Sequence, residues 1–512
     1  MKVPFTVSDF LYRAENVYPD RVALADEPEA PGGGLGEITY AQFGELVRAQ
    51  AAKLDQLGIT HGERVAMVSQ NAGRLMTSFY GVSGYGRVFV PINFRLSHDE
   101  ISYIVDHCGA TMLMVDPSME DTCKDIDIEH FVVMGTDADN QMYATGVEPA
   151  PWTPDEDVTA TINYTSGTTA RPKGVQQTHR ALWVNATTFG WHSGVNDRDV
   201  YLHTLPMFHC NGWGMPYAVT GMGGKHIVQR EVRGPEILRR IDQHGVTLMC
   251  GAPAVVSAVL DAAADWEGEI PGSGRVRMVV AGAPPPTRTI ARMETELGWE
   301  FIQIYGLTET APLLTMNRCR PEWDDFDPDE KARKLSRAGA PAIGVKIDID
   351  NQGEILARAN VVLEGYWEQP EATAEAITDG WFHTGDGGTM DSEHHVTISD
   401  RKKDVIITGG ENVSSIEVED VLFNHPAVTE VAVIGVPDER WGETIKALVV
   451  IDAAVDAVTE RELIDFCRDE ISHFKCPTSV EFREELARTA TGKLQKFKLR
   501  APFWEGMEKL IN

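Results

Sequence analysis

The feature that most constrains the fold of this chain is an alternation of short apolar runs with longer amphipathic stretches through about the first 380 residues. The apolar runs have the length and composition of buried strands, at 64–69, 111–115, 160–164, 247–250 and 277–280. Between them lie stretches with apolar residues at helical spacing, at 9–16, 40–56, 98–105 and 235–244. Strands that alternate with helices build parallel sheets covered by helices, so we predict layered α/β structure with mostly parallel sheets. The acidic stretch 323–331 lacks this pattern, and we expect a solvated loop there.

The pattern changes after a charged segment, Asp400-Arg401-Lys402-Lys403-Asp404. Beyond it, segments 431–436 and 445–451 are typical of strands, and Ser414 and Thr459 each precede a glutamate by three residues, as in a helix-capping box. This is a compact α+β unit of about a hundred residues, and a chain of 512 residues is longer than one core requires. We therefore predict a large N-terminal domain over 1–399 and a smaller, mobile C-terminal domain over 400–512, with a hinge at Asp400.

Net charge, cysteine spacing and hydropathy together disfavour several kinds of partner and several cellular compartments. The net charge of −31 disfavours nucleic acid and anionic lipid, because both are polyanions. The seven cysteines are scattered and never form CxxC, which is typical of reduced thiols and not of a disulfide framework or a zinc site. The sequence has no secretory signal and no apolar run long enough to span a bilayer. We expect a soluble, cytoplasmic protein with no nucleic-acid partner and no integral membrane segment.

The most informative single stretch is 164–175, YTSGTTARPKGV, which follows a predicted strand and precedes a helix predicted to begin near Thr178. Its glycines allow backbone N–H groups to face an anion, its hydroxyls donate further hydrogen bonds and Lys173 adds a positive charge. The stretch therefore predicts a phosphate-binding loop. Lys173 precedes Gly174, which is the reverse of the order in the Walker motif GxxxxGK[ST], so a P-loop phosphotransferase is disfavoured.

Five further segments carry residues suited to chemistry, although each is ambiguous by itself. They are LPMFHCNGWG at 205–214, AGAP at 281–284, QIYGLTET at 303–310, WFHTGD at 381–386 and RTATGK at 488–493. Alone, a histidine in an apolar run is more often a core residue, a glutamate after a strand often starts a helix, and a Gly-Lys pair near a terminus is often solvated. Their occurrence in one order along one chain favours a functional interpretation.

Together with the phosphate loop, these segments resemble the adenylate-forming superfamily, which includes acyl-CoA synthetases, amino-acid adenylation domains and beetle luciferases. The resemblance covers nearly the whole chain, and 205–214 is similar to ligases of medium-chain, aromatic and methylthiopropionate-type acids. It implies an acid–CoA ligase that uses ATP, Mg²⁺ and coenzyme A. ATP and a carboxylic acid would give acyl-AMP and pyrophosphate, and the CoA thiol would then give acyl-CoA and AMP. Ala170 stands where the family usually has glycine, so we expect a slightly altered loop.

The resemblance assigns the nucleotide and catalytic roles. Tyr305 would stack on adenine, Thr308 would contact the α-phosphate and Asp386 would bind ribose. Lys493 would stabilise the transition state of adenylation, with His209 and Glu309 as further catalytic residues and Thr165 and Glu309 as the metal ligands. The full set of predicted ATP- and AMP-binding residues is Thr165, Ser166, Gly167, Thr168, Thr169, Lys173, Gly282, Ala283, Pro284, Gln303, Ile304, Tyr305, Gly306, Thr308, Asp386, Arg401 and Lys403.

The resemblance also implies a swing of the small domain about Asp400 for the second step. Residues predicted to bind CoA are Gly409, Gly410, Glu411, Phe474 and Lys475. Those predicted to line the acyl pocket are His209, Trp213, Gly214, Ala281 and Thr310. The indole of Trp213 either shortens this pocket, which favours small, medium-chain or aromatic acids, or swings aside.

Other functions on the same framework stay open at this point. One alternative is an adenylating enzyme that loads the thiol of a carrier protein, although nothing after Arg500 resembles a carrier domain. Another is a luciferase-like oxygenase, although the chain has no Ser-Lys-Leu ending. The expected partners are a small carboxylic acid and CoA, and a homodimer is a further expectation.

Overall fold

A computed structural model of the protein describes residues 1–165, 171–283, 285–401, 404–408, 411–438, 440–452, 458–489 and 494–505, apart from the side chains of Thr136 and Arg401. These residues form a large N-terminal domain of layered sheets and helices and a smaller C-terminal domain. The fold class predicted from the sequence is confirmed.

The first sheet spans residues 22–341 and is parallel at its centre, with antiparallel strands at its edges. This arrangement follows from the helical crossovers that join its central strands. In the described residues its spatial order is Ala340–Pro341, Leu313–Arg318, Glu300–Gly306, Arg277–Val280, Leu248–Gly251, Val200–His203, Lys225–Val228, Val22–Ala25 and Glu37–Thr39.

The second sheet is also parallel over most of its width. Only Lys173–Thr178 and Gly365–Tyr366, at one edge, run antiparallel to their neighbours. Its central strands are buried on both faces, which explains their nearly continuous apolar sequences. Its described strands lie in the order Gly365–Tyr366, Lys173–Thr178, Thr159–Thr165, Val88–Ile92, Arg64–Val68, Ala110–Val115 and His130–Val133.

Two smaller antiparallel units complete the chain. The third sheet contains Lys346–Ile349, Glu354–Arg358, Ile377–Thr378, Trp381–Met390 and Val396–Arg401. The fourth sheet belongs to the small domain and contains Ile406–Thr408, Glu411–Val413, Val428–Asp438, Gly442–Ile451 and Ser479–Phe482, of which only the last pairs in parallel. The mostly parallel character predicted for the chain therefore belongs to the first two sheets.

Helices cover these sheets, and those predicted from the sequence are confirmed with ends that shift by three residues or fewer. Their apolar faces supply much of the core, as in the helix over 40–56, which buries Tyr40, Phe43, Val47 and Leu54. The described α-helices are Ser8–Val17, Tyr40–Gln56, Gly73–Gly81, His98–Cys108, Glu120–Cys123, Thr136–Met142, His179–Ser193, Met215–Met222, Gly234–His244, Pro253–Ala264, Thr287–Arg292, Pro328–Leu335, Pro370–Ala376, Ser415–Phe423, Glu460–Glu470 and Lys496–Arg500.

The two predicted capping boxes have different outcomes. Thr459 and Glu462 form the complete reciprocal pair at the start of the helix over 460–470. Ser414 accepts the backbone N–H of Glu417 at 3.4 Å, but the Glu417 carboxylate pairs with Lys475 instead of closing the box. The helix start at Ser414 is therefore predicted correctly, but the reciprocal hydrogen bond predicted for Glu417 is not formed.

The prediction of a solvated loop at 323–331 is wrong. Trp323 is buried, with the cations of Arg320 and Arg337 over its ring, and a helix begins at Pro328. Asp327 caps that helix by accepting the N–H of Glu330 at 2.8 Å. The acidic first turn is favourable at a helix N-terminus, so acidity here marks a helix start.

The described helices include none that is both long and apolar enough to cross a membrane. The seven cysteines all lie in described residues, and none of them forms a disulfide bond. Burial raises the pKa of Cys108 and Cys250 to about 12, so these two thiols stay protonated at neutral pH.

Candidate active site

The predicted site residues begin where strands end. The strands Arg277–Val280 and Glu300–Gly306 are parallel neighbours, so their carboxyl ends meet at one edge of the first sheet. Ala281 follows one strand and Thr308 follows the other, while Thr165 ends a strand of the second sheet. In open α/β sheets this edge is where ligands bind. The topology therefore brings the central motifs to one region.

Tyr305 and Asp386, predicted to bind adenine and ribose, are in direct contact. The Tyr305 hydroxyl donates to Asp386 Oδ2 at 2.9 Å, and both residues are buried. The backbone N–H of Asp386 donates to the Thr384 hydroxyl at 3.1 Å, and that hydroxyl donates to the carbonyl of Ile355 at 2.7 Å. Residues 81 positions apart in the sequence thus form one rigid hydrogen-bonded unit.

Glu309 and Lys173, predicted to hold metal and phosphate, are joined through Tyr366. The Tyr366 hydroxyl donates to Glu309 Oε1 at 3.0 Å, and the Lys173 ammonium lies 4.6 Å from the centre of the Tyr366 ring. Tyr366 is placed there because its short strand pairs with Lys173–Thr178. Burial and the negative charge of Glu309 raise the pKa of the Tyr366 phenol well above its usual value, so it stays a neutral donor.

The chemistry of this donor set fits a Mg²⁺ ion. The hydrogen bond from Tyr366 orients the Glu309 carboxylate through Oε1, which leaves Oε2 with no hydrogen bond to the described residues. Mg²⁺ prefers one or two carboxylate oxygens together with water and phosphate oxygens. Glu309 and the Thr165 hydroxyl could supply protein ligands of that kind.

The turn that carries Thr308 and Glu309 is fixed by backbone contacts. A Cβ on Gly306 would lie 1.6 Å from the carbonyl oxygen of Pro312, so only glycine allows this approach. The amide of Gln177 donates to the carbonyl of Thr308 at 2.7 Å. Thr310 is fully buried and donates its hydroxyl to the Pro312 carbonyl at 2.6 Å. The hydroxyl of Thr310 is therefore used inside the turn, which leaves its methyl group as the part suited to an acyl pocket.

Segment 209–214, predicted to form the acyl pocket, is a left-handed turn. Cys210, Asn211, Gly212, Trp213 and Gly214 all have positive φ, between 42° and 77°. Non-glycine residues pay roughly 1–2 kcal/mol each for this conformation, so the surroundings must hold it. Consecutive residues of this kind are typical of positions where function fixes the backbone.

Two amides secure this turn from opposite sides. Asn71 accepts the N–H of Met207 at 2.7 Å and donates to the carbonyls of His203 and Leu205, which fixes the approach to the turn. Asn211 itself donates to the Thr161 hydroxyl at 3.1 Å. The strained backbone is thus anchored to the second sheet, by Thr161 in the strand Thr159–Thr165 and by Asn71, which follows the strand Arg64–Val68.

The turn also packs closely on the helix over 179–193. A Cβ on Gly214 would lie 2.5 Å from Asn185 Nδ2, and Trp213 is only 5 % exposed. His209, by contrast, is half-buried, and Ala281 is buried with its N–H donating to the Gly251 carbonyl at 3.2 Å. The indole therefore occupies a buried position in the predicted pocket wall.

The remaining nucleotide candidates lie around the same edge. Gln303 and Ile304 are buried in the strand over 300–306, and Gln303 Oε1 has no hydrogen-bond partner in the described residues. Gly282 and Ala283 are exposed at the carboxyl end of the neighbouring strand. Both segments are therefore in reach of the sheet edge on which Tyr305 lies.

Asp400, the predicted hinge, is buried and hydrogen-bonded. Its Oδ2 accepts both the backbone N–H and the hydroxyl of Ser415 at 2.7 Å, at the start of the helix over 415–423. Burial raises the pKa of the Asp400 carboxyl. Its neighbour Arg401 pairs through its backbone with Asp386 in the third sheet. The predicted hinge thus lies between Asp386, the predicted ribose ligand, and the first helix of the small domain.

The described residues predicted to bind CoA lie on the small domain, and they differ in solvent exposure and in whether their charge is already paired. Glu411 is exposed, and Phe474 is 51 % exposed. The Lys475 ammonium forms an ion pair with Glu417 at 2.7 Å, so its charge is already compensated. Ser166, Gly167, Thr168, Thr169, Pro284, Lys403, Gly409, Gly410, Lys493 and the Arg401 side chain lie outside the described part of the structure.

The sequence interpretation missed Tyr366, Gln177, Asn71 and Asn185. Tyr366 lies 57 positions from Glu309, so no local pattern connects the two. Gln177 and Asn185 lie beyond the phosphate motif, in segments interpreted only as structure. The one sequence signal that could have identified Gln177 and Asn185 is a polar residue within an apolar strand or on a buried helix face.

Comparison with known proteins gives a consistent assignment. The family model for AMP-binding enzymes matches residues 11–367, and the model for the C-terminal domain of AMP-binding enzymes matches residues 417–493. The 4-hydroxybutyrate–CoA ligase 2 of Metallosphaera sedula is 35 % identical, with 96 % of this chain and 93 % of that protein covered. The 2-methylpropanoate–CoA ligase CCL4 of Humulus lupulus is also 35 % identical, with 97 % and 95 % covered. The crystal structure of the anthranilate CoA ligase AuaEII in complex with anthranoyl-AMP is 26 % identical, with a TM-score of 0.87 and 98 % of each chain covered.

Proposed function

We propose that this chain, which belongs to the AMP-binding enzyme family and is an AMP-forming acid–CoA ligase, activates a small carboxylic acid with the residues described above. The family and the reaction class follow from the two family-model matches and from relatives that are CoA ligases. The identity of the acid and the role of each residue are our proposals. The observation that supports the residue roles best is the contact of Tyr305 with Asp386 beside the Glu309–Tyr366–Lys173 cluster.

In the first step, the acid carboxylate attacks the α-phosphorus of ATP and the bond to pyrophosphate breaks. Tyr305 and Asp386 hold the nucleoside, Thr308 contacts the α-phosphate and Lys173 compensates phosphate charge. A bound Mg²⁺ would neutralise phosphate charge beside Glu309. Lys493 lies in the C-terminal motif and, in this proposal, supplies the cation at the forming bond, where two anions meet.

In the second step, the thiol of CoA attacks the acyl carbonyl of the adenylate and AMP leaves. Acyl-AMP is a mixed anhydride, so the C–O bond to phosphate breaks as the thioester forms. We propose that the small domain moves about Asp400 between the two steps and brings Gly409, Gly410 and Glu411 to the pantetheine arm. His209, half-buried beside the left-handed turn, would adjoin the acyl carboxylate.

The buried Trp213 supports a small acid. The Trp213 indole is buried within the main hydrophobic core, and its backbone is held by the turn that Asn211 anchors to Thr161, so moving the indole aside would disturb core packing. This favours the first of the two alternatives for Trp213, a shortened pocket. Short-chain, branched short-chain and single-ring aromatic acids are then the preferred substrate classes, and the relatives that act on 4-hydroxybutyrate and 2-methylpropanoate support this range.

The test is an acid panel with wild-type enzyme and Trp213→Ala. We expect acid-dependent release of pyrophosphate, consumption of CoA and formation of AMP, with highest kcat/KM for short or single-ring acids. In Trp213→Ala, each added methylene should improve kcat/KM by about fourfold up to the new pocket length, since one buried methylene contributes about 0.8 kcal/mol. Trp191→Ala, at a position 75 % exposed, is the matched control. Formation of ADP would contradict adenylation, and an unchanged size preference in Trp213→Ala would contradict the pocket assignment.

A second test addresses Lys493. Lys493→Ala should slow acid-dependent pyrophosphate exchange by orders of magnitude and largely spare acyl-CoA formation from supplied acyl-AMP. Equal loss in both steps would contradict the role proposed for this lysine and the movement about Asp400.

The acceptor thiol and the setting of the enzyme complete the proposal. Loading of a carrier protein is not favoured, because the relatives compared above are CoA ligases. We retain a cytoplasmic location and a homodimer as proposals, although one relative is named as a peroxisomal enzyme. Sedimentation of the purified chain would test the homodimer.

A further inference from the structure

A hydrogen bond between the two domains singles out Asp420 on the helix over 415–423. Asp420 Oδ1 accepts the backbone N–H of Thr287 at 2.9 Å and lies 3.3 Å from the Thr287 hydroxyl, which also lies 3.4 Å from Oδ2. Thr287 begins the helix over 287–292, three positions after the predicted nucleotide-binding residues 282–284. The carboxylate of Asp420 therefore reaches from the small domain to the base of the nucleotide site.

The other acidic side chains of the same helix have partners inside the small domain. Glu417 pairs with Lys475 at 2.7 Å, and Glu419 pairs with Lys496 at 2.8 Å. Asp420 has its described hydrogen bonds only with Thr287. Asp420 is also largely buried, and this burial raises the pKa of its carboxyl. A buried carboxylate is costly unless hydrogen bonds compensate it, so the contact with Thr287 matters to this domain orientation.

The helix over 415–423 is held at two points along its length. Asp400 accepts the N–H of Ser415 at its start, and Asp420 binds Thr287 one and a half turns later. A rotation of the small domain about Asp400 would keep the first contact close to its axis. It would separate Asp420 from Thr287, because Thr287 belongs to the large domain.

We infer that Asp420 and Thr287 form a latch that selects one of the two domain orientations and so sets the balance between the two half-reactions. The inference rests on the proposed movement about Asp400. Asp420 is a positioning residue, since it acts through the orientation of the small domain. Because Thr287 closely follows the predicted nucleotide-binding residues 282–284, the latch also joins that orientation to the proposed nucleotide site.

The main experiment traps the latch. In a Cys319→Ser background, which removes the one natural cysteine that is not buried, Thr287→Cys and Asp420→Cys are joined by oxidation. Cross-linking is checked by thiol titration. We expect the oxidised enzyme to keep one half-reaction, either acid-dependent pyrophosphate exchange or acyl-CoA formation from supplied acyl-AMP, and to lose the other at least a hundredfold. Reduction should restore both. An oxidised enzyme that completes the whole cycle, or that loses both half-reactions, would overturn the latch.

Asp420→Ala provides an independent test that needs no cross-link. Loss of hydrogen bonds to a charged group should shift the ratio of the two half-reaction rates by about tenfold. Asp469→Ala is the matched control, because it removes an exposed acidic side chain of the small domain with no hydrogen bond or ion pair to the described residues. A ratio within twofold of wild type in Asp420→Ala would also overturn the inference.

A readout without catalysis separates the latch from the ligase reaction. Nitroxide labels at Arg198→Cys and Glu470→Cys, both exposed, report the distance between the domains in the Cys319→Ser background. The distance distribution should broaden in Asp420→Ala and not in Asp469→Ala, and no broadening would count against the latch. If wild-type enzyme forms no acyl-CoA while the distance still responds to Asp420→Ala, the proposed function fails and the latch stands.

Discussion

Tyr366→Phe is the substitution that tests most directly how the site is assembled. It deletes the hydroxyl that donates to Glu309 at 3.0 Å and leaves the ring beneath Lys173 in place. A hydrogen bond to a charged group contributes about 1.5–3 kcal/mol, and about 1.4 kcal/mol corresponds to a tenfold change in rate. Water can replace part of the lost bond because Glu309 is only half-buried. We therefore expect kcat/KM for ATP to fall by roughly tenfold, near the lower end of this range.

The assay is acid-dependent pyrophosphate release with ATP and Mg²⁺ varied independently. The loss should be larger at low Mg²⁺, because a less ordered Glu309 binds the cation more weakly. The pKa of Tyr366 is raised, so its hydroxyl stays protonated near neutral pH and the ratio of variant to wild type should not change between pH 6 and 9. Tyr366→Leu should lose a further factor of a few, since it also removes the cation–π contact with Lys173.

Tyr12→Phe is the matched control, because Tyr12 is 72 % exposed and lies on the first helix of the chain. The melting temperature of each variant separates a local effect from loss of fold. If Tyr366→Phe matches wild type within twofold at limiting Mg²⁺ and ATP, then Tyr366 does not orient Glu309 for catalysis. An equal loss at low and high Mg²⁺ would refute the metal assignment and leave only a structural role.

Three further predictions concern other parts of the molecule. Asp386→Asn removes a charged acceptor of the Tyr305 hydroxyl, and KM for ATP in pyrophosphate release should rise about tenfold or more while thermal stability changes little. Gly306→Ala puts a Cβ 1.6 Å from the Pro312 carbonyl oxygen, so urea unfolding should show a loss of about 3 kcal/mol or more. Burial lowers the pKa of His226 to about 3, below the value near 6.5 of an unfolded histidine. The unfolded state therefore takes up the proton first. The contribution of His226 to stability, which is fully present above about pH 6.5, should fall by about 1.4 kcal/mol per pH unit as the pH drops towards 3. The urea midpoint should therefore depend less steeply on pH in His226→Gln.

Much of the fold could be predicted because local pattern and global packing agree in its central strands. Arg64–Val68 and Arg277–Val280 are short, apolar and bounded by helices, and each lies in a buried parallel sheet. The helix over 40–56 was predicted with both ends correct, since Thr39 and Gln42 cap its start and its apolar spacing is regular. Such elements are specified within about twenty residues of sequence, so distant partners are not needed to recognise them.

The site could be predicted as a set of motifs but not as a set of contacts. Tyr305 and Asp386 were each identified by resemblance, while their hydrogen bond depends on the packing of the third sheet against the first. The left-handed turn at 210–214 was also unpredictable, because cysteine, asparagine and tryptophan favour negative φ in isolation. Tertiary contacts from Asn71, Thr161 and the helix over 179–193 impose that conformation. Sequence patterns report the conformation that each residue prefers locally, and the residues of this turn adopt a different one.

In the proposed mechanism, the position of Asp386 would allow the small domain to move without release of the acyl-adenylate. In the ladder between Trp381–Met390 and Val396–Arg401, Asp386 faces Arg401 and Gly387 faces Asp400. Asp386, the proposed ribose ligand, therefore lies on the large-domain side of the proposed hinge, within one step of the ladder. A rotation that begins at Asp400 need not disturb Tyr305–Asp386, because their hydrogen bond joins two buried residues of the large domain. In the proposed rotation, the contacts that change would be those beyond the hinge, above all Asp420 with Thr287, and the adenylate would stay bound while the small domain presents its other face.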